Sequence, residues 1–541
     1  GYSCYTLCME TVLSELPDDV ESLKKLVVEQ ARRAHELEAT SKQLEDEIAA
    51  LKLKLQEVKD QYQLLQQKFF GSSSEKRKKK EEDNPKQPLL FNEAETYAEA
   101  PATPEKKTLV RSHERKVRGR KPLPENLERR EFVHALSEAE RTCPSCGAVR
   151  PEIGQEVREE LEFIPARFVV NAHIIKKYGP CQCEVCANPI VQAEGPAKII
   201  PGSSFSNNTI AFFLTSKFVD AQPFYRMERI LSRWGIETSR ASLCKVAVSA
   251  GRAIGDLLDE MRKDLKASPV AQLDETIVQV LHEKNRSAQA KSYMWVARGY
   301  ADKKPIIFFH YHPSRAKEIA HRFLEGYQGF VQTDGYSGYD EVGFFPGITH
   351  VGCLAHVRRK FFEAEKQGSK EASEFIELIA ELYHAEKNLR QRYEEGALTA
   401  EEFLSARTKE QGPRLARMKA WLISKQGQSP PSLSFGKAVN YALGQWDRIE
   451  KYLGHELLTP DTNAVENAIR PFVIGRKNWL FSNTPLGAHA SAGIYSLIET
   501  AKANGHEPYR YLCYLFNELP KAKRLEEKRA LLPYRLAPGS Y

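Results

Sequence analysis

The sequence predicts a multidomain α+β protein. Its parts are an N-terminal coiled-coil helix, a small zinc ribbon, a helix-turn-helix-like segment and a mixed α/β core with a helical insertion. Three observations predict this. A heptad repeat runs from Val20 to Phe69, cysteine knuckles stand at Cys143–Cys146 and Cys181–Cys186, and strand-like runs give way to helical ones beyond residue 266. With 541 residues, 41% of them hydrophobic, the chain can fill several cores. A net charge of +7 is compatible with a polyanionic partner. No run approaches the length of a membrane span, and no signal peptide is evident, so a soluble intracellular protein is expected. Residues 1–17 read as a tail, with Met9 the expected start.

The heptad falls within residues 18–70. Two interleaved sets, Val20 to Phe69 and Leu23 to Leu65, place thirteen apolar residues on fifteen seam positions, interrupted by Gln30 and Ser41. So regular a seam reads as a self-associating coiled coil, the alternative being a long helix folded back on its own chain. Residues 71–125 read as a flexible basic linker. Lys106 to Lys121 holds eight Lys or Arg against one Glu. Within it Arg118, Arg120 and Lys121 suit a narrow minor groove, unless they are simply solvated.

Residues 126–200 contain CPSC and CQCEVC. Each Cys-x2-Cys knuckle puts two thiolates on one tight turn, and two turns complete a closed tetrahedral site. Cys143, Cys146, Cys183 and Cys186 are therefore the expected ligands of one structural Zn²⁺, with Cys181 an alternate for Cys183. Cys244, Cys353 and Cys513 are expected to be buried thiols. In residues 201–265, a helix, a turn at Gly235 and a helix capped by Thr238 or Ser239 outline a helix-turn-helix. Arg240, Ser242 and Lys245 would then face outward toward DNA; two packed core helices have the same pattern.

The core is expected over residues 266–368 and 456–500, with a charged helical insertion at 369–455 and a helical tail at 501–541. AQLDETIVQVL, SYMWVARGY and KPIIFFHYH read as an antiparallel meander. GFVQTDGYSGYD gives a further strand, and HVGCLAHVRRKFFEA a strand entering a helix. In NAVENAIRPFVIG, Glu466 opens a helix, Arg470 lies one turn on, and Pro471 is expected to break the pattern.

Three acids stand out: Asp274 within a strand, Asp334 at a strand end and Glu466 early in a helix. Converging carboxylates repel unless a cation sits among them. Their hard oxygens suit Mg²⁺ or Mn²⁺. Two such ions would support phosphoryl chemistry, with Arg470, Arg476 and Lys477 available to phosphates. Cys353 and His356 have metal-like spacing, but a strand-end thiol and a phosphate- or backbone-bonded His are the plainer expectation.

These motifs carry a resemblance. KFFGSSSEK, RGRKPLP, CPSCG, FIPARF, KFVDAQPFYR, LDET, QTDGYSGY, LAHVRRKF, NAVENAIRPFVIGRKNWLFSN and SLIETAKANGHEPYRYLCYLFNELP occur in order. The chain resembles the transposases of the insertion-sequence-66 family, DDE-type enzymes with an RNase H-like catalytic core. The resemblance implies hydrolytic cleavage of donor DNA, then attack of the freed 3′-hydroxyl on target DNA. Asp274, Asp334 and Glu466 match the family's acidic triad, holding two Mg²⁺ or Mn²⁺. Glu275 would point to the other face of its strand, in a supporting role at most. The implied partners are double-stranded DNA (element ends and target), a second copy through the coiled coil and small accessory proteins, in the nucleoid of a bacterial cytoplasm. Two departures are a third cysteine in the second knuckle and Leu354 where members often carry Trp. The alternatives are a DNA-binding regulator with an inactive core and a metal-dependent nuclease without strand transfer.

Overall fold

The computed structural model describes residues 19–70, 167–178 and 191–541. The chain divides into two compact units, Ser74–Ala172 and the rest, and all described helices and strands belong to the rest. Helix α1 is a single span, Val20–Phe70. Its heptad residues Leu37, Leu51 and Val58 are 70%, 64% and 61% exposed, so among the described residues these seam positions are left uncovered. The two-residue strands β1 (Lys177–Tyr178) and β2 (Val191–Gln192) pair antiparallel.

Four helices follow: α2 (Asn207–Phe218), α3 (Phe224–Arg233), α4 (Arg240–Ala253) and α5 (Gly255–Lys266). The turn between α3 and α4 uses Gly235 at φ +74°, a conformation costly for residues with a Cβ. Ser239 caps α4 by accepting from the Ser242 amide at 3.1 Å. Of the three thiols expected to be buried, Cys353 is, Cys513 is half-buried and Cys244 is exposed on α4. Apolar neighbours in sequence do not fix which side of a helix a thiol faces.

The core is a five-stranded sheet in the order β5-β4-β3-β6-β7. Strands β3 (Val270–Gln279), β4 (Lys291–Ala301) and β5 (Lys304–His312) form the antiparallel meander. The tight β4–β5 turn places Asp302 and Lys303 at φ +50° and +64°, matching the strand twist. Helix α6 (Lys317–Leu324) leads to β6 (Gly329–Gln332), and a 3-10 turn (Ser337–Phe344) leads to β7 (Ile348–Val351). Both β6 and β7 run parallel to β3. Pairing of β3 with β6 ends at Gln272–Gln332, so β3 opens on that side just before Asp274.

Edge strand β5 is closed by α12 (Pro485–Ala503). The Thr500 hydroxyl accepts from Ile307 N and donates to Ile307 O, both at 3.0 Å, and the Ser496 hydroxyl accepts from Phe309 N at 2.8 Å. Unpaired edge groups that would template another strand are thus satisfied by a helix. Helix α12 also meets α4 closely: a Cβ on Gly251 would lie 2.6 Å from that of Ala490.

Helices α7 (Leu354–Lys366), α8 (Lys370–Glu394), α9 (Ala400–Lys425) and α10 (Ser434–Ile449) enclose a second core, with Phe361, Phe375 and Trp446 at its centre. That core includes Val270 of β3 and Val351 of β7, so these helices pack directly on the sheet. The expected break at Pro471 does not occur. Helix α11 runs through it, Asn463–Trp479. Proline deprives the Asn467 carbonyl of its helical donor. Asn467 is exposed, where water can replace that bond, while Ala468, Ile469 and Phe472 bury the opposite face. Helices α13 (Pro508–Glu518) and α14 (Leu525–Arg529) complete the chain.

Candidate active site

Strand register places the first two acids. Asp274 and Asp334 each lie two residues beyond the paired Gln272 and Gln332. The ladder persists past β6, since Thr333 N bonds Val351 O at 3.1 Å. Asp274 Oδ1 accepts from Glu275 N at 2.8 Å, and Asp334 Oδ1 from Tyr336 N at 3.1 Å. Gly335 lies beneath Tyr441 of α10, with no room for a Cβ.

Glu466 arrives on the first turn of α11, where the helix dipole favours an anion. Its carboxylate lies 3.6 Å from Arg359 and 3.9 Å from His356 Nδ1, both on α7. Burial keeps His356 below the usual imidazole range, against the pull of Glu466.

Electrostatics tie the acids together. The Asp274 carboxyl is pushed up to about 7, first by burial, then by the negative charges of Glu275, Glu466 and Asp334. Asp274 thus lies within electrostatic reach of Glu275, Glu466 and Asp334, and carboxylates crowded without a compensating positive charge suit a divalent cation.

Glu275 is differently placed. Its side chain is 2% exposed, bonded to Arg315 Nε at 2.5 Å and to the Tyr339 hydroxyl. Arg315 in turn stacks on Tyr336, 3.5 Å from its ring centroid. Glu275 thus has a cationic partner, while no ion pair to Asp274 is found among the described residues.

Cys353, His356 and Glu466 could also bring ligand atoms within 4.8 Å of one another. The sulfur, however, accepts from Thr462 N at 3.3 Å and Thr462 Oγ1 at 3.2 Å. Burial pushes the thiol up to about 11, away from the thiolate a metal needs. Leu354 is fully buried beside it.

Of the expected phosphate contacts, Arg470 and Lys477 are exposed on α11. Arg476 is half-buried and donates to Thr276 Oγ1 at 3.3 Å. Arg240, Ser242 and Lys245 are exposed on α4. Arg118, Arg120 and Lys121, and the zinc-ribbon cysteines Cys143, Cys146, Cys181, Cys183 and Cys186, lie outside the described residues.

The sequence reading missed the polar groups behind the acids. Gln272 and Gln332 are buried and bonded to each other, Gln272 Nε2 donating to Gln332 Oε1 at 2.8 Å. A signal was present: both strand acids stand in the same Gln-x-Asp setting, QLD and QTD.

The model of the family "Transposase IS66 family" matches residues 202–490, more than half of the chain. The chain belongs to the IS66 transposase family. The IS66 C-terminal element matches 496–534, the zinc-finger binding domain of transposase IS66 matches 140–184, and "Transposase C of IS166 homeodomain" matches 57–132. The zinc-finger match supports a structural zinc; it spans Cys143, Cys146, Cys181 and Cys183 and ends before Cys186. Two proteins of Sinorhizobium fredii, both titled uncharacterized, are similar along most of their length. Protein y4qI is 27% identical over 98% of this chain and 99% of its own length. Protein y4jD is 27% identical over 76% of this chain and 81% of its own. This IS66 family chain is thus a transposase with DNA-binding domains. Among its described residues, no helix is long and apolar enough to cross a membrane.

Proposed function

We propose that the protein is a DDE transposase that binds the ends of its element, cuts DNA and joins the freed 3′ end to target DNA. One observation carries this reading: the Asp274 carboxyl, with no cationic partner among the described residues, is raised to about 7 by burial and by Glu275, Glu466 and Asp334. The sheet order, three antiparallel strands followed by two parallel ones, supports an RNase H-like core. Asp274, Asp334 and Glu466 would hold two Mg²⁺ or Mn²⁺ ions. When bound, the pair would make an attacking oxygen nucleophilic and stabilise the leaving one.

The remaining roles belong to the chain. Glu275 stays locked by Arg315 and Tyr339 and fixes the strand that carries Asp274. Arg359 beside Glu466, with the exposed Arg470 and Lys477, neutralises the phosphates that approach. Arg240 and Lys245 on α4, with Arg118, Arg120 and Lys121 on the linker, contact the DNA backbone. The exposed seam of α1 pairs with a second copy and brings two ends together.

The test uses purified protein and the element's own ends, in Mg²⁺ and in EDTA. The expected result is metal-dependent cleavage, joining of a pre-cut end, and loss of both in Asp334→Ala with DNA binding kept. Cleavage without joining would make the protein a nuclease. Unchanged function in Asp334→Ala would make it a regulator.

A further inference from the structure

The three acids come from segments far apart in sequence, and hydrogen bonds join those segments close to the acids. Gln272 and Gln332 are each two residues before a strand acid, so each shares a sheet face with it. Both are buried, 1% and 0% exposed. Gln272 Nε2 donates to Gln332 Oε1 at 2.8 Å and reaches Asp461 O at 3.4 Å. Gln332 Nε2 donates to Thr459 O at 2.8 Å and Gly352 O at 3.2 Å. Two amides therefore join β3, β6, the end of β7 and the loop 459–461 that delivers α11 and Glu466.

That loop is held from its other side as well. Arg407 of α9, fully buried, donates to the carbonyls of Tyr452, His455 and Leu458 at 3.1, 2.9 and 2.8 Å. Arg390 of α8 donates to Leu458 O at 2.7 Å. The segment before Glu466 thus lies between the helical insertion and the glutamine pair, with little freedom to shift. A hydrophobic pair would fill the same volume; buried amides fix direction and register, because each lost partner leaves a costly unsatisfied group.

We infer that Gln272 and Gln332 are positioning residues that set the spacing of Asp274, Asp334 and Glu466 for their metal ions. The inference rests on the proposed metal-holding role of the acids. Groups of this kind, one layer behind metal ligands, commonly govern affinity by about 10–100-fold.

The experiment measures Mn²⁺ binding to the full-length protein by electron paramagnetic resonance, with Mg²⁺-dependent cleavage and thermal unfolding alongside. Gln332→Met and Gln272→Met keep volume and remove the amides. Each is expected to weaken Mn²⁺ binding about tenfold, to raise the Mg²⁺ needed for half-maximal cleavage similarly, and to unfold cooperatively. Gln332→Glu keeps the acceptor for Gln272 but loses both donors, and is expected to behave like Gln332→Met. Should one variant not fold, the other two stand. Folded variants with wild-type Mn²⁺ affinity and Mg²⁺ requirement would overturn the inference, provided Asp334→Asn abolishes binding. If Asp334→Asn also binds Mn²⁺ normally, the metal-holding role of the acids fails first, and the inference with it.

Discussion

The two sides of β3 are built by different means. Toward β4 and β5 the sheet is closed by apolar packing, with Met294, Val296, Ile306 and Phe309 buried and α12 laid along the edge. Polar side chains there, Ser496 and Thr500, serve backbone groups that have no strand partner. Toward β6 and β7 the buried groups include Gln272, Gln332, Thr333, His350, Asp461 and Thr462, and Asp274 lies among like charges. The first side gains stability from its contacts. The second gives some up to hold a charged constellation in place, as functional sites do.

Variants on the two sides should therefore separate activity from stability. The largest expected effect is on the acid side. Glu466→Gln should lower cleavage by about a thousandfold, while its melting midpoint stays near that of the parent protein. A comparable loss of melting temperature would mean that Glu466 holds the fold together, and the contrast would collapse.

On the meander side the expected effects reverse. Gly251→Val pushes a branched side chain into Ala490 of α12 and should cost about 3 kcal/mol. Thr500→Val is milder. It leaves the Ile307 N–H and C=O without their helix partner, at about 1–3 kcal/mol. In both, cleavage per folded molecule should stay at the parental value, measured by normalising activity to the folded fraction from circular dichroism. A selective loss of activity in Thr500→Val would tie α12 to the chemistry.

The same division explains what could be read in advance. The meander and the β7–α7 passage were legible because alternation and runs of β-branched or aromatic residues mark half-buried strands. Asp274 stood out in the sequence because a carboxylate in such a run calls for a partner. The β4–β5 turn adopts positive φ at Asp302 and Lys303 without the glycine that usually supplies it. Pro471 misled because one-sided burial of α11 outweighed a local break. The glutamine pair was illegible as a pair. Its meaning depends on a 60-residue separation closed by parallel register, which no local pattern records. The helices at 370–449 showed their periodicity, but not that Arg390 and Arg407 would grip the loop leading to Glu466.

A pH dependence sharpens the comparison because opposite signs overlap. Asp274 has its folded-state pKa raised from 3.8 to about 7. Between those values the folded state holds a proton that the unfolded chain releases. Without metal, its contribution to stability is full below about pH 4 and is lost as pH rises through about 7. His310 of β5 and His350 of β7 act in the other direction. Burial lowers both from 6.5 to about 4, so the unfolded chain binds their protons and stability grows across that interval as pH rises. The total slope mixes these terms, so the informative quantity is the difference between the parent and Asp274→Asn. Asp274→Asn should be the more stable at pH 8, by on the order of 2 kcal/mol, with the advantage vanishing by pH 4. Saturating Mg²⁺ should shrink that advantage, because the cation binds the ionised carboxylate that burial disfavours. Parallel stability curves from pH 4 to 8 in EDTA would mean that Asp274 is not under electrostatic stress, and the two sides of β3 would then differ only in composition.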